Sequence, residues 1–255
     1  MIGILDSGIG GLSLFKEIVP LMPDINILYY ADTANCPYGP RSNEQITQLA
    51  QICVQNLIDN GAQAIALACN TITAASATHL RKTFPNIPIV GMEPAIKPAA
   101  AITKSGHIGV LATESTLNSK LYGINKKRIP QHIEIIEIVG EGLVEMIETD
   151  QIETPQNLAI IRKYVDLLIS YNVDTVVLGC THYPFIKEQI KRLSNYKLNV
   201  IDPTPAVAKH MKNVLLKNNI IIDEQAKHSF FSSISDQESL RVQKIAAKII
   251  TQRGY

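Results

Sequence analysis

Short apolar runs alternate with helical periodicities along the whole 255-residue chain. The runs that predict strands are Ile2–Leu5, Ile27–Ala31, Ala64–Ala68, Ile87–Val90, His107–Leu111, Glu134–Ile138, Thr175–Leu178 and Leu198–Ile201. They are brief, continuously apolar and rich in Ile and Val, as expected for strands covered on both faces of a parallel sheet. The helical stretches between them supply the right-handed crossovers that such a sheet requires. Helix ends are well marked. Ser42 and Gln45 make a capping box ahead of Ile46, Leu49, Cys53 and Leu57, and Gly61 closes that helix. Thr154-Pro155 opens another, which carries Leu158, Ile161, Val165 and Leu168.

The pattern then repeats. "IGILDSG" at 2–8 resembles "IGVLATE" at 108–114, and "AIALACNT" at 64–71 resembles "TVVLGCTH" at 175–182. The order in each half is strand, polar loop, long helix, then strand and cysteine. This predicts an α/β fold of two similar parallel-sheet domains related by pseudo-two-fold symmetry, with the active site in the cleft between them. Prolines interrupt the pattern in "VGMEPAIKPA" at 90–99, and the chain is expected to return near "IDPTPAVA" at 201–208. The expected domains are 1–92 plus 207–255, and 93–206.

Composition narrows the class. Hydrophobic residues make up 46% and charged residues 18%, with a formal net charge of +1, which suits a globular protein with a sizeable core. No basic tract is longer than Lys126-Lys127-Arg128, so an extended nucleic-acid surface is not expected. No apolar run reaches membrane-spanning length. The start "MIGILDSGIGG" lacks a basic region and a cleavage pattern, so a signal peptide is not expected and the cytoplasm is the expected location. Cys36, Cys53, Cys69 and Cys180 form no C-x-x-C pair and are expected to be free thiols.

Two of those thiols stand where ligands bind in parallel α/β sheets, beyond the carboxyl ends of strands. Cys69, in "IALACNTITAAS" at 65–76, and Cys180, in "VVLGCTHYPF" at 176–185, each follow a strand and are expected to precede a helix. A helix N-terminus favours thiolate over thiol. Two thiols approaching one carbon from opposite sides, with sulfurs roughly 6–7 Å apart, suit removal of a proton from a stereocentre and its return on the far face. Asp6 ends the first strand at the same rim, and His182 could exchange protons with Cys180. Ser7, Asn70, Thr71 and Thr181 are short polar groups suited to a small zwitterion.

Cys53 lies on the apolar face of its helix and reads as core, and Cys36 as an incidental turn residue. Cys69, Cys180, His182 and Asp6 match a tetrahedral ligand count, yet they come singly from distant strands, and no metal is expected. "GIGGLS" at 8–13 lacks the third glycine of a dinucleotide loop. Asp6 could also serve as a helix N-cap. His107 and His132 read as strand-edge residues, and His79 as solvated.

Five motifs taken together resemble the bacterial glutamate racemases of the cofactor-independent aspartate/glutamate racemase superfamily. They are "DSGIGGLS" at 6–13, "YADTANCPYGPRS" at 30–42, "ACNTITAAS" at 68–76, "GVLATEST" at 109–116 and "GCTHYP" at 179–184. The resemblance implies catalytic thiols at Cys69 and Cys180, with auxiliary acid–base roles for Asp6, His182 and Glu148. Glu148 is the least secure match, because Glu145 lies one turn away. Substrate-binding roles are implied for Asp6, Ser7, Tyr38, Gly39, Asn70, Thr71, Thr113, Thr181 and His182. The resemblance also implies no cofactor, a homodimer, and supply of D-glutamate for peptidoglycan. Aspartate racemases of the superfamily carry glutamate where this chain has His182, which favours glutamate as substrate. Aspartate or another amino acid as substrate, and a non-catalytic amino-acid-binding protein, stay as alternatives. Departures are Ala31, where a glycine is usual, and "GMEPAIKPA" at 91–99. Some members carry an N-terminal extension linked to activation by a wall precursor; this chain starts at its first strand, so that dependence is not expected.

Overall fold

All the predicted strands form in the computed structural model, with ends shifted by a residue or two. It describes residues 1–220 and 226–251. The chain divides into two units, one of Met1–Met92 with the segment from Thr204 onward, the other of Glu93–Pro203.

In the first unit, β1 (Ile2–Asp6), α1 (Leu12–Leu21), β2 (Ile27–Ala31), α2 (Asn43–Asp59), β3 (Ala64–Leu67), α3 (Asn70–Thr83) and β4 (Ile89–Gly91) follow in order. β1 lies between β2 and β3, parallel to both, with Ile4 level with Tyr29 and Ala66. Every residue of β1 is buried, which explains its unbroken apolar run. The capping box at α2 is present: Gln45 N–H donates to Ser42 Oγ at 3.3 Å, and Ser42 N–H to Gln45 Oε1 at 3.1 Å. Gly61 turns the chain after α2 with φ of +93°, a conformation glycine adopts without steric cost. α2 and α3 press Ile46, Val54, Leu57, Ile72 and Leu80 onto one face of the sheet.

The second unit continues the numbering with α4 (Ile96–Ile102), β5 (His107–Ala112), α5 (Glu114–Leu117), α6 (Lys120–Lys126), β6 (Glu134–Val139), α7 (Leu143–Glu148), α8 (Pro155–Ser170), β7 (Thr175–Gly179), α9 (Lys187–Leu193) and β8 (Asn199–Ile201). Its sheet is parallel in the order β6-β5-β7-β8. Thr154 caps α8 by accepting from Asn157 N–H at 3.3 Å. α8 buries Ile161, Tyr164, Val165 and Leu168. It packs closely because β5 offers Gly109: a Cβ there would lie 2.3 Å from Leu168 Cδ2.

The chain then returns to the first unit as α10 (Thr204–Lys217), β9 (His228–Ser232) and α11 (Asp236–Thr251). α10 packs on α1, and α11 packs on β9. β9 pairs with β2 in parallel and extends the sheet to the order β4-β3-β1-β2-β9. Apart from that added strand, the two sheets share one order: β4-β3-β1-β2 corresponds to β8-β7-β5-β6. Among the described residues, no helix is long and apolar enough to cross a membrane.

Candidate active site

The first unit gathers its polar residues where β1, β2 and β3 end. Asp6 is the last residue of β1 and is completely buried. It does not cap α1, whose N-cap is Gly11; its Oδ2 instead accepts from Gly8 N–H at 3.0 Å. Ser7 is buried beside it. Cys69, two residues past the end of β3, is the N-cap of α3. Its Sγ therefore lies at the positive end of a 14-residue helix, as the sequence predicts. Asn70 and Thr71 form the first turn of α3 and are buried. Asn70 Nδ2 donates to the Met92 carbonyl at 3.5 Å, while its buried Oδ1 has no hydrogen-bond partner among the described residues.

Tyr38 and Gly39 reach the same rim through the loop after β2. Asp32 N–H donates to the Asp6 carbonyl at 2.9 Å. The Asp32 carboxylate accepts from the Tyr38 hydroxyl and from Asn35 Nδ2, the latter at 3.1 Å to each oxygen. Tyr38 is buried, and burial with the adjoining Asp32 carboxylate pushes its phenol far above the usual tyrosine range. Gly39 is half-buried. Asp32 itself was not singled out from the sequence; it lay inside the quoted "YADTANCPYGPRS", but nothing in spacing alone distinguishes it from a turn aspartate.

The second unit builds a chain of three side chains. Cys180 follows β7, and His182 lies two residues on, with Nδ1 3.7 Å from Cys180 Sγ. His182 Nε2 is 2.7 Å from Glu148 Oε1. The imidazole is 2% exposed and the carboxylate 18%. Burial alone would favour the neutral ring. Hydrogen bonds to Cys180 and Glu148, with the electrostatic pull of these two groups, outweigh it and hold His182 well above the ordinary histidine range. Between the two neighbouring glutamates, Glu148 is the one that meets His182, whereas Glu145 is exposed. α7 is held for this contact by tyrosines: Tyr183 donates to the Gly140 carbonyl at 3.2 Å and Tyr164 to that of Glu141 at 2.8 Å.

One expectation requires correction. Cys180 does not lead directly into an α-helix. Thr181 and His182 form a turn, a 3₁₀ helix runs over Tyr183–Ile186 with Pro184 in its first turn, and α9 begins only at Lys187. The 3₁₀ turn is too short to carry a strong helix dipole. The His182 ring, 3.7 Å from Sγ, is placed to polarise this thiol. Thr181 is buried. Thr113 directly follows β5, whose last residue Ala112 is level with Gly179 of β7. It caps α5, accepting from Thr116 N–H at 3.3 Å.

The remaining cysteines and histidines behave as background. Cys53 is buried in the first unit's core, and burial, with the Asp32 charge adding, pushes its thiol up to about 12. Cys36 lies half-buried in the loop before Tyr38. His107 pairs with Glu134 at 3.3 Å, and His79 bonds Gln51 at 2.7 Å. His132 is in the turn before β6 and does not itself begin the strand.

Known proteins carry the same pattern. The family model described as Asp/Glu/hydantoin racemase matches residues 2–211. A glutamate racemase of Ectopseudomonas mendocina is 40% identical over 240 residues, covering 94% of this chain and 91% of that protein. The crystal structure of glutamate racemase isoform RacE1 from Bacillus anthracis superposes with a TM-score of 0.85 at 30% identity, covering 100% of this chain and 94% of that one. A Francisella tularensis glutamate racemase solved in complex with D-glutamate gives a TM-score of 0.82 at 28% identity, covering 97% and 93%. With the family model spanning most of its length and a relative this similar over nearly all of it, the chain belongs to the Asp/Glu/hydantoin racemase family.

Proposed function

We propose that this protein is a cofactor-independent glutamate racemase that interconverts L- and D-glutamate with two cysteine bases. The carrying observation is the structural repeat itself. Corresponding strands, β3 and β7, each deliver a buried cysteine outside any disulfide past their carboxyl ends, within a family whose relatives at this identity are glutamate racemases.

In the proposed cycle one thiolate removes the α-proton, leaving a carbanion whose charge spreads into the α-carboxylate. The other thiol donates a proton to the opposite face, and the configuration inverts. The new thiolate and thiol are then poised for the reverse direction. No electrons are gained or lost. Asp6 assists on the Cys69 side, and His182 with Glu148 on the Cys180 side. A charged imidazole beside Cys180 favours its thiolate when it must act as base, and replenishes the proton when it must act as acid. Asn70 Oδ1, buried without a partner among the described residues, supports a role as acceptor for the substrate ammonium. Ser7, Tyr38, Gly39, Thr71, Thr113 and Thr181 supply the remaining polar contacts. The proposal includes a homodimer, and action in the cytoplasm, where the thiols stay reduced. D-glutamate would feed peptidoglycan synthesis.

The test is circular dichroism of L-glutamate incubated with the pure protein, without pyridoxal phosphate. The signal is expected to decay to zero, and Cys69→Ala and Cys180→Ala are each expected to abolish the decay. Normal turnover by either variant refutes the two-thiol scheme. Preferential turnover of L-aspartate refutes the substrate assignment.

A further inference from the structure

The turn that carries Asp6 and Ser7 is held at one residue from two directions. Gly8 N–H donates to Asp6 Oδ2 at 3.0 Å, and the Gly8 carbonyl accepts from the Tyr29 hydroxyl at 2.7 Å. Tyr29 belongs to β2, neighbour to β1, and is completely buried. Its hydroxyl also fills the space beside Gly11: a Cβ on Gly11 would lie 2.8 Å from that oxygen, 2.7 Å from Asp6 Cβ and 3.0 Å from Ala68 Cβ. Tyr29, Asp6 and the approach to Cys69 therefore meet around the same glycine turn. The ring is seated by Phe230 of β9, at 6.0 Å between centroids, and Phe230 in turn packs edge-on against Phe15 at 5.4 Å.

A carboxylate that accepts a backbone N–H is oriented only as well as that N–H is. The Gly8 N–H lies in the Ser7–Gly8 peptide and the Gly8 carbonyl in the next one, so the two contacts communicate through the Gly8 Cα: a turn released at the carbonyl can swing the N–H away from Asp6. On the carbonyl side of Gly8 the Tyr29 hydroxyl holds the turn. We propose that Tyr29 is a positioning residue: by anchoring Gly8 it orients the Asp6 carboxylate, and so controls proton transfer on the Cys69 face alone. This rests on the glutamate racemase reading above.

Tyr29→Phe removes one oxygen and keeps the ring. Racemisation by the wild-type protein is measured first, so that failure of the activity itself is separated from failure of this inference. In Tyr29→Phe, kcat is expected to fall about three- to tenfold, the range for one lost hydrogen bond expressed in a barrier. KM is expected to change less. The decisive readout is the α-deuterium isotope effect on each enantiomer. Slowing only the Cys69 step makes it rise with one enantiomer as substrate and fall with the other. A loss of packing alone has no such handedness. Phe230→Leu keeps the hydroxyl but loosens its seat, and a smaller change of the same sign is expected, which also serves if Tyr29→Phe does not fold. Unchanged isotope effects in a racemising variant, or a shift of the same sign for both enantiomers, overturn the inference.

Discussion

The pair His182–Glu148 allows a prediction with a definite sign. Glu148→Gln keeps an oxygen that can still accept the Nε2 proton, so the change removes charge and leaves shape nearly intact. The contact is 2.7 Å, with the ring 2% and the carboxylate 18% exposed, so solvent screens it only partly. A hydrogen bond to a charged group contributes about 1.5–3 kcal/mol, and a loss in that range is expected. Its pH dependence follows from the direction of the shift. The folded His182 value lies above the unfolded value of about 6.5. The stabilisation is therefore complete below about pH 6.5 and is lost as pH rises through the folded value. The stability gap between wild type and Glu148→Gln should be widest on the acid side of neutrality and close on the alkaline side. Urea unfolding across this range measures the gap, and ¹⁵N NMR of the imidazole follows the titration directly. The titration should move down in the variant, and the alkaline limb of turnover should move with it. A His182 titration that stays in place, or a stability gap that does not vary with pH, refutes the assignment of Glu148 as the charge that holds the ring.

Two further outcomes concern the scaffold of the second unit. Asp174 accepts from Thr103 Oγ1 at 2.7 Å, Lys104 N–H at 2.6 Å and Ser105 N–H at 2.8 Å; partial burial opposes its ionisation, but these donors prevail and hold it below the usual aspartate value. Asp174→Ala should cost about 2 kcal/mol near neutral pH, and the cost should vanish as pH falls through the depressed native value, as read by urea unfolding at several pH values. Gly109→Ala would drive a Cβ to 2.3 Å from Leu168 Cδ2 in a fully buried contact, and should lower unfolding free energy by about 1–3 kcal/mol without changing the far-ultraviolet circular dichroism.

Strands buried on both faces are the most legible elements of this chain, because burial forces a continuous apolar run. β9 escaped notice for the converse reason. It is an edge strand with residues alternately half-buried and exposed, reading "HSFFS", and only its pairing with β2 makes it a strand. The caps at Ser42 and Thr154 were legible because the side chain and the N–H it receives from are three residues apart. The 3₁₀ turn after Cys180 reads as an α-helix from the sequence because His182 and Pro184 are both compatible with a helix start, and tertiary packing of Tyr183 decides otherwise. The Cys69 rim could be placed from strand ends alone. The His182–Glu148 contact could not: its partners are 34 positions apart, and only family resemblance pointed to it. Tyr29 and Asp32 carried no signal beyond apolar strand and polar turn, since their importance lies in which neighbours the fold brings to them.

The two units are not equivalent in the order of synthesis. Glu93–Pro203 is one uninterrupted stretch, whereas the other unit needs residues from both ends of the chain, and its sheet is incomplete until His228–Ser232 has joined β2. On the ribosome, where domains close as their last residues emerge, the half bearing Cys180 can fold while the half bearing Cys69 still waits with the edge of β2 uncovered. A nascent chain stalled between these points would hold one finished lobe and one open strand edge, the kind of surface that holdase chaperones occupy.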